Sequence, residues 1–188
     1  MASGARGRCY ARVVRRALAL LSVSAVVLSA CATGAAGGAP YAAASGPMPA
    51  IVGPTLSGGE LRPSDYRGRF VVVNFWNPDC PPCRAEAPAL AASWDRLRQG
   101  DVEFIGVMYV GGGWPDDRDA ARRFTAGFGI TYPTVVDEGS RLAHAFAIPG
   151  IPVTVVADRS GRLAYRILGP VRPGEIDALV SRLSGALP

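Results

Sequence analysis

In 188 residues the chain has four cysteines, a single histidine and no lysine. The cysteines are Cys9, Cys31, Cys80 and Cys83. If the first two are taken by a leader and its processing site, one dithiol remains, which excludes a multi-disulfide scaffold and a four-cysteine zinc site. Long apolar runs are also missing. The longest uncharged apolar stretch, Ala17 to Leu28, has 12 residues, whereas a membrane-spanning helix needs about 20. No acid occurs among the first 30 residues, which hold Arg6, Arg8, Arg12, Arg15 and Arg16. Removing those five from the 20 basic residues leaves 15 against 15 acids, so the net charge of +5 belongs to the leader. That distribution excludes a basic nucleic-acid-binding face. No internal repeat is present, which excludes a solenoid. Nothing about function is read from the use of arginine alone.

The first 30 residues have the layout of a secretion signal: an arginine-rich start, the apolar run and small residues before a cysteine. Leu28-Ser29-Ala30-Cys31 resembles the lipobox of bacterial lipoprotein precursors, which implies that Cys31 is lipidated and becomes the new N-terminus. Arg15-Arg16 could also belong to a twin-arginine signal, but the flanking residues fit that poorly. From 31 to 47 the composition is mainly Ala, Gly, Ser and Pro without charge, which suits a flexible spacer. The sixteen residues from Ala32 to Pro47 span about 20 to 24 Å. A folded domain is expected over residues 48–188, on the outer face of the cell membrane.

Within that domain, Phe70 to Phe75 and Val102 to Val110 are β-rich apolar runs. Between them Ala87, Leu90, Trp94 and Leu97 recur at helical spacing, ending near Gly100. Ala121, Phe124 and Phe128 mark a second helix after the Gly111 to Gly113 loop, and Leu142, Ala145 and Phe146 a third. Val153 to Ala157 and Leu163 to Leu168 flank the turn Asp158-Arg159-Ser160-Gly161 and predict a hairpin. Ile176, Leu179, Val180 and Leu183 predict a closing helix. Alternating strands and helices followed by a hairpin predict an α/β domain with a mixed sheet flanked by helices.

A C-x-x-C after a buried strand, at the start of a helix, resembles the thioredoxin superfamily. The stretch from Phe75-Trp76 through Cys80-Pro81-Pro82-Cys83-Arg84-Ala85-Glu86-Ala87-Pro88, with the later Gly150-Ile151-Pro152, most resembles its TlpA/ResA-like disulfide reductases. The similarity runs from about Pro49 to the C-terminus. It implies a thioredoxin-like fold with an N-terminal β extension, a membrane-tethered monomer and no cofactor. It also implies reduction of exported proteins such as apocytochrome c, with electrons from a membrane thiol relay. Some relatives instead oxidise nascent exported chains.

A thiolate attacks a disulfide, and a helix start favours negative charge. Cys80 is therefore expected to attack and Cys83 to resolve. Pro81 and Pro82 have no N–H, which leaves mainly the Cys83 N–H to stabilise a Cys80 thiolate. Asp79 adds a like charge, and both effects favour a reductant. Asn74 stands where thioredoxins carry a proton-moving aspartate, and it cannot titrate. Glu86, three residues after Cys83, lies on the same helix face and matches the buried glutamate of ResA-like proteins. Trp76 is expected to border the dithiol and Ile151 to offer backbone to a substrate. Pro152 resembles the superfamily's cis-proline.

The rivals are weaker. A peroxiredoxin needs Pro seven and Thr three residues before its cysteine, where Val73 and Asn77 stand. A Sco-like copper chaperone could use the dithiol and His144 for Cu(I), but its cysteines are spaced by three residues rather than two. A haem attachment motif needs His where Arg84 stands.

Overall fold

The structure, a computed structural model, describes residues 41–185. The leader, Cys9, Cys31 and the start of the spacer lie outside the described residues. A six-stranded sheet forms the centre, in the order β1-β8-β7-β4-β5-β6. Its strands are β1 (Tyr41–Ala43), β4 (Phe70–Trp76), β5 (Val102–Tyr109), β6 (Thr134–Asp137), β7 (Val153–Ala157) and β8 (Leu163–Leu168). A separate two-stranded piece, β2 (Gly53–Pro54) and β3 (Glu60–Leu61), lies in the chain between β1 and β4. The helices are α1 (Pro81–Leu97), α2 (Arg118–Gly127), α3 (Arg141–Ala145) and α4 (Glu175–Leu183). β4, β5 and β6 are parallel, while β7, β8 and β1 add antiparallel strands on the other side of β4. This is the thioredoxin-like fold, with the mixed sheet and N-terminal β extension expected.

Every residue of β4 is buried because both faces of the sheet are covered. Its side chains alternate accordingly. Val71, Val73 and Phe75 pack with Ile51, Tyr66, Leu142 and Phe146 on one face. Phe70 and Val72 pack with Leu90, Phe104, Ile176 and Leu179 on the other. A third cluster of Trp76, Cys80, Cys83, Met108, Phe124 and Val136 lies around the dithiol.

Within the spacer expected over 31–47, the described part is paired to the sheet: Tyr41–Ala43 pairs with β8 and Pro47 bridges to Arg162. Without β1, β8 would expose a row of unpaired backbone groups, and an Ala-rich segment can satisfy them as well as any other. The Tyr41 ring meets Tyr165 edge-on at 5.3 Å. Residues 41–47 thus lie against the sheet.

Gly106 is where β5 has no room for a side chain. A Cβ there would lie 2.4 Å from Thr134 Oγ1 and 3.1 Å from Trp76 Nε1. Thr134 is a short, buried side chain in β6 and cannot swing away. Gly106→Ala should therefore destabilise the domain by about 1–3 kcal/mol, read as a lower urea midpoint with the m-value unchanged.

Candidate active site

β4 delivers the chain to one end of the sheet, and α1 starts there. Cys80 is the N-cap of α1, with prolines at the first two helical positions. That arrangement suits proline, whose missing N–H is one of the groups a helix start leaves unpaired. Cys80 Sγ accepts the Cys83 N–H at 3.2 Å, and no other hydrogen bond to that sulfur is present among the described residues. Cys80 and Cys83 form a disulfide, with S–S 2.09 Å and Cα–Cα 5.2 Å. Both are 1 % exposed. Asp79, next to them, is exposed, and its N–H donates to Asn77 Oδ1.

Glu86 lies one helical turn beyond Cys83 and is 1 % exposed. Asn74 Nδ2 donates to Glu86 Oε1 at 2.8 Å and to Thr154 Oγ1 at 3.0 Å. The Val171 N–H donates to Glu86 Oε2 at 2.8 Å. Burial pushes the carboxyl up from 4.5 to about 7, against the lowering pull of those two donors. Desolvation thus outweighs two hydrogen bonds that favour the anion. The group can exchange a proton near neutral pH. Tyr132 is raised too, chiefly by its own burial and then by the Glu86 charge.

The Ile151–Pro152 peptide is cis. Pro152 is buried, and Ile151 is partly buried against the dithiol cluster. Together they line a shallow groove of about 250 Å³ with Pro149, Gly150, Leu168 and Gly169. Trp76 borders the dithiol, but from behind. It is 2 % exposed and stacks on Phe124 at 4.4 Å. As the last residue of β4 it packs against α2, in the cluster that holds both cysteines. A second cavity, about 260 Å³ and lined by Tyr66, Arg67 and Arg159, lies near the start of β4. That is the end of the sheet opposite the dithiol.

Two residues of the site escaped the sequence reading. Asn77, fully buried, donates from Nδ2 to the carbonyls of Tyr109 (3.0 Å) and Pro115 (3.1 Å). It thereby ties the Gly111–Trp114 loop to the dithiol turn. Trp114, partly exposed, packs against the cysteine cluster. An Asn in a turn beside proline, and a Trp after three glycines, were the available signals. His144 is exposed on α3. Among the described residues no three His, Cys, Asp or Glu side chains gather as a metal set, and no helix is long and apolar enough to cross a membrane.

Comparison with known proteins agrees with this geometry. Residues 45–166 match the AhpC/TSA family. The thiol-disulfide oxidoreductase ResA of Geobacillus kaustophilus (strain HTA426) is 31% identical over 122 residues, covering 65% of this chain and 67% of the relative. The thiol:disulfide interchange protein HelX of Rhodobacter capsulatus is 36% identical over 105 residues, 55% of this chain and 54% of HelX. A secreted thiol-disulfide isomerase from Corynebacterium glutamicum superposes with a TM-score of 0.64 at 27% identity, covering 79% of this chain and 93% of that one. The chain belongs to the AhpC/TSA family and, within it, is a protein thiol–disulfide oxidoreductase of the ResA and HelX type.

Proposed function

We propose that the protein is a membrane-tethered, extracytoplasmic disulfide reductase that acts on exported proteins through Cys80 and Cys83, with Glu86 as the proton carrier. The observation that carries this reading is the dithiol at the mouth of α1, backed one turn away by a buried carboxyl that titrates near neutrality. In the reduced protein the Cys80 thiolate attacks one sulfur of a substrate disulfide. A mixed disulfide forms, and the other substrate sulfur leaves as a thiolate. Ionised Glu86 takes the Cys83 proton, so that the Cys83 thiolate displaces the remaining substrate sulfur. The substrate gains two electrons, the Cys80–Cys83 bond forms, and an external dithiol must restore the reduced state. Ile151 and the groove beside it would hold an extended substrate backbone. Apocytochrome c and a membrane thiol relay are the substrate and donor that the ResA-like motifs suggest. Cys31 is the lipidation site in this reading.

The reducing direction rests on the poverty of donors at Cys80. With prolines at the first two helical positions, one N–H reaches its sulfur, and Asp79 adds a negative charge nearby. Asp79→Ala should lower the Cys80 pKa, read from the pH dependence of iodoacetamide alkylation. Because Asp79 is solvent-exposed, the decrease should be no more than about one unit. An unchanged value removes the electrostatic part of this argument. The decisive measurement is the reduction potential of residues 41–188, alongside in-cell trapping of the two cysteines. A potential near that of thioredoxin, about −270 mV, supports reduction, and one near −120 mV reverses the direction.

A further inference from the structure

The docking of β1 decides where the tether enters the domain. Tyr41 faces Ile167 and Ala43 faces Tyr165. The chain then runs along β8, with Ala44 N–H on Ala164 O and Met48 N–H on Gly161 O, both at 2.8 Å. β8 places Leu168 opposite Val153, and β7 places Val153 opposite Phe75. Tyr41 therefore lies one residue from the level of Phe75, at the end of the sheet where the dithiol stands. Met48 lies at the opposite end, beside Arg67 and Gly161. With β8 and β7 between them, β1 and β4 are about 14 Å apart.

Ten Cα–Cα steps separate Cys31 from Tyr41, and even fully extended they reach no more than about 33–36 Å. To turn the far end toward the anchor, the chain would have to run back along the sheet, whose seven-residue β4 alone is about 23 Å long. That detour uses most of the reach.

The two ends also differ in chemistry. Leu168, 59 % exposed, is the most exposed large hydrophobic residue described, and it shares the dithiol end with exposed Pro81, Pro82 and Pro149. At the far end Arg69 is paired with Glu103 at 2.6 Å and Arg159 with Asp101 at 2.9 Å, while exposed Arg67 and Arg162 form no ion pair among the described residues. The orientation is therefore carried by where the tether enters the sheet and by exposed Leu168, not by a difference in charge between the ends.

We propose that the dithiol end of the sheet, with Leu168 at its rim, rests toward the bilayer surface, so that Cys80 meets its partners close to the lipid. The inference rests on the reading of Cys31 as the lipid anchor. To test it, a benzophenone side chain is placed at position 168 or at position 67 of the full-length protein and irradiated in native membranes. Position 168 should give phospholipid adducts several-fold more often than position 67. Equal labelling, or an excess at 67, overturns the orientation. Protein adducts alone at 168 overturn the bilayer as its neighbour in favour of a membrane protein. Fractionation separates the two readings: if the unsubstituted protein is soluble, both the anchor and the orientation fail, whereas membrane retention with the wrong labelling pattern defeats the orientation alone.

Discussion

Replacing Cys83 by serine should stop the protein at the mixed disulfide, with one partner held covalently per molecule and turnover on a model disulfide reduced by at least about a thousandfold. The two sulfurs differ in position in a way that dictates this asymmetry. Cys80 caps the helix, where its sulfur accepts the Cys83 N–H, while Cys83 lies inside the first turn. A sulfur at the cap can share charge with the helix start and reach a partner. A sulfur one turn inward is placed to attack Cys80's new bond from the protein side. Cys80→Ser should lose turnover to the same extent yet capture nothing. Non-reducing electrophoresis and intact mass after incubation with a disulfide-bonded protein check both results. Adducts on the Cys80→Ser variant and none on Cys83→Ser would exchange the two roles. An intact fold with no adduct on either would remove disulfide exchange as the mechanism.

The elements were legible wherever burial writes a period into the chain. The stripe Ala87, Leu90, Trp94, Leu97 became the inner face of α1, and the run Phe70 to Phe75 became the doubly covered β4. Glu86 was legible because a three-residue offset on a helix is a local relation. What stayed hidden depends on contacts far apart in sequence or on backbone alone. The Val171 N–H that holds Glu86 comes from 85 residues away, and no local pattern announces it. β1 is built from Tyr-Ala-Ala and pairs through main-chain groups, so its composition is that of a spacer. Trp76 was legible as a neighbour of the dithiol. Its burial depends on Phe124 in α2, which stacks over it.

Glu86→Gln should change both stability and catalysis with pH, and the sign follows from the direction of the shift. The carboxyl is raised from 4.5 to about 7 in the folded protein. Below the unfolded value both states hold the proton, and the group costs nothing. As pH rises through 4.5 the unfolded chain releases the proton while the folded one keeps it, so stability falls until the folded group also ionises near 7. The loss across that window is about 3 kcal/mol. Urea midpoints of the wild type should therefore fall between pH 4.5 and 7.5, and those of Glu86→Gln should vary much less. The variant will have its own offset, since an amide cannot accept from both Asn74 and the Val171 N–H through two oxygens. Catalysis provides the independent readout. The wild-type exchange rate should carry an inflection near pH 7 as Glu86 ionises and becomes able to take the Cys83 proton, and the variant should lack it. A flattened stability curve with an unaltered rate profile would make Glu86 a structural carboxyl that merely tolerates its burial. Loss of both pH dependences would join the buried proton to the resolving step, because one ionisation then governs the energy of the core and the rate at the dithiol.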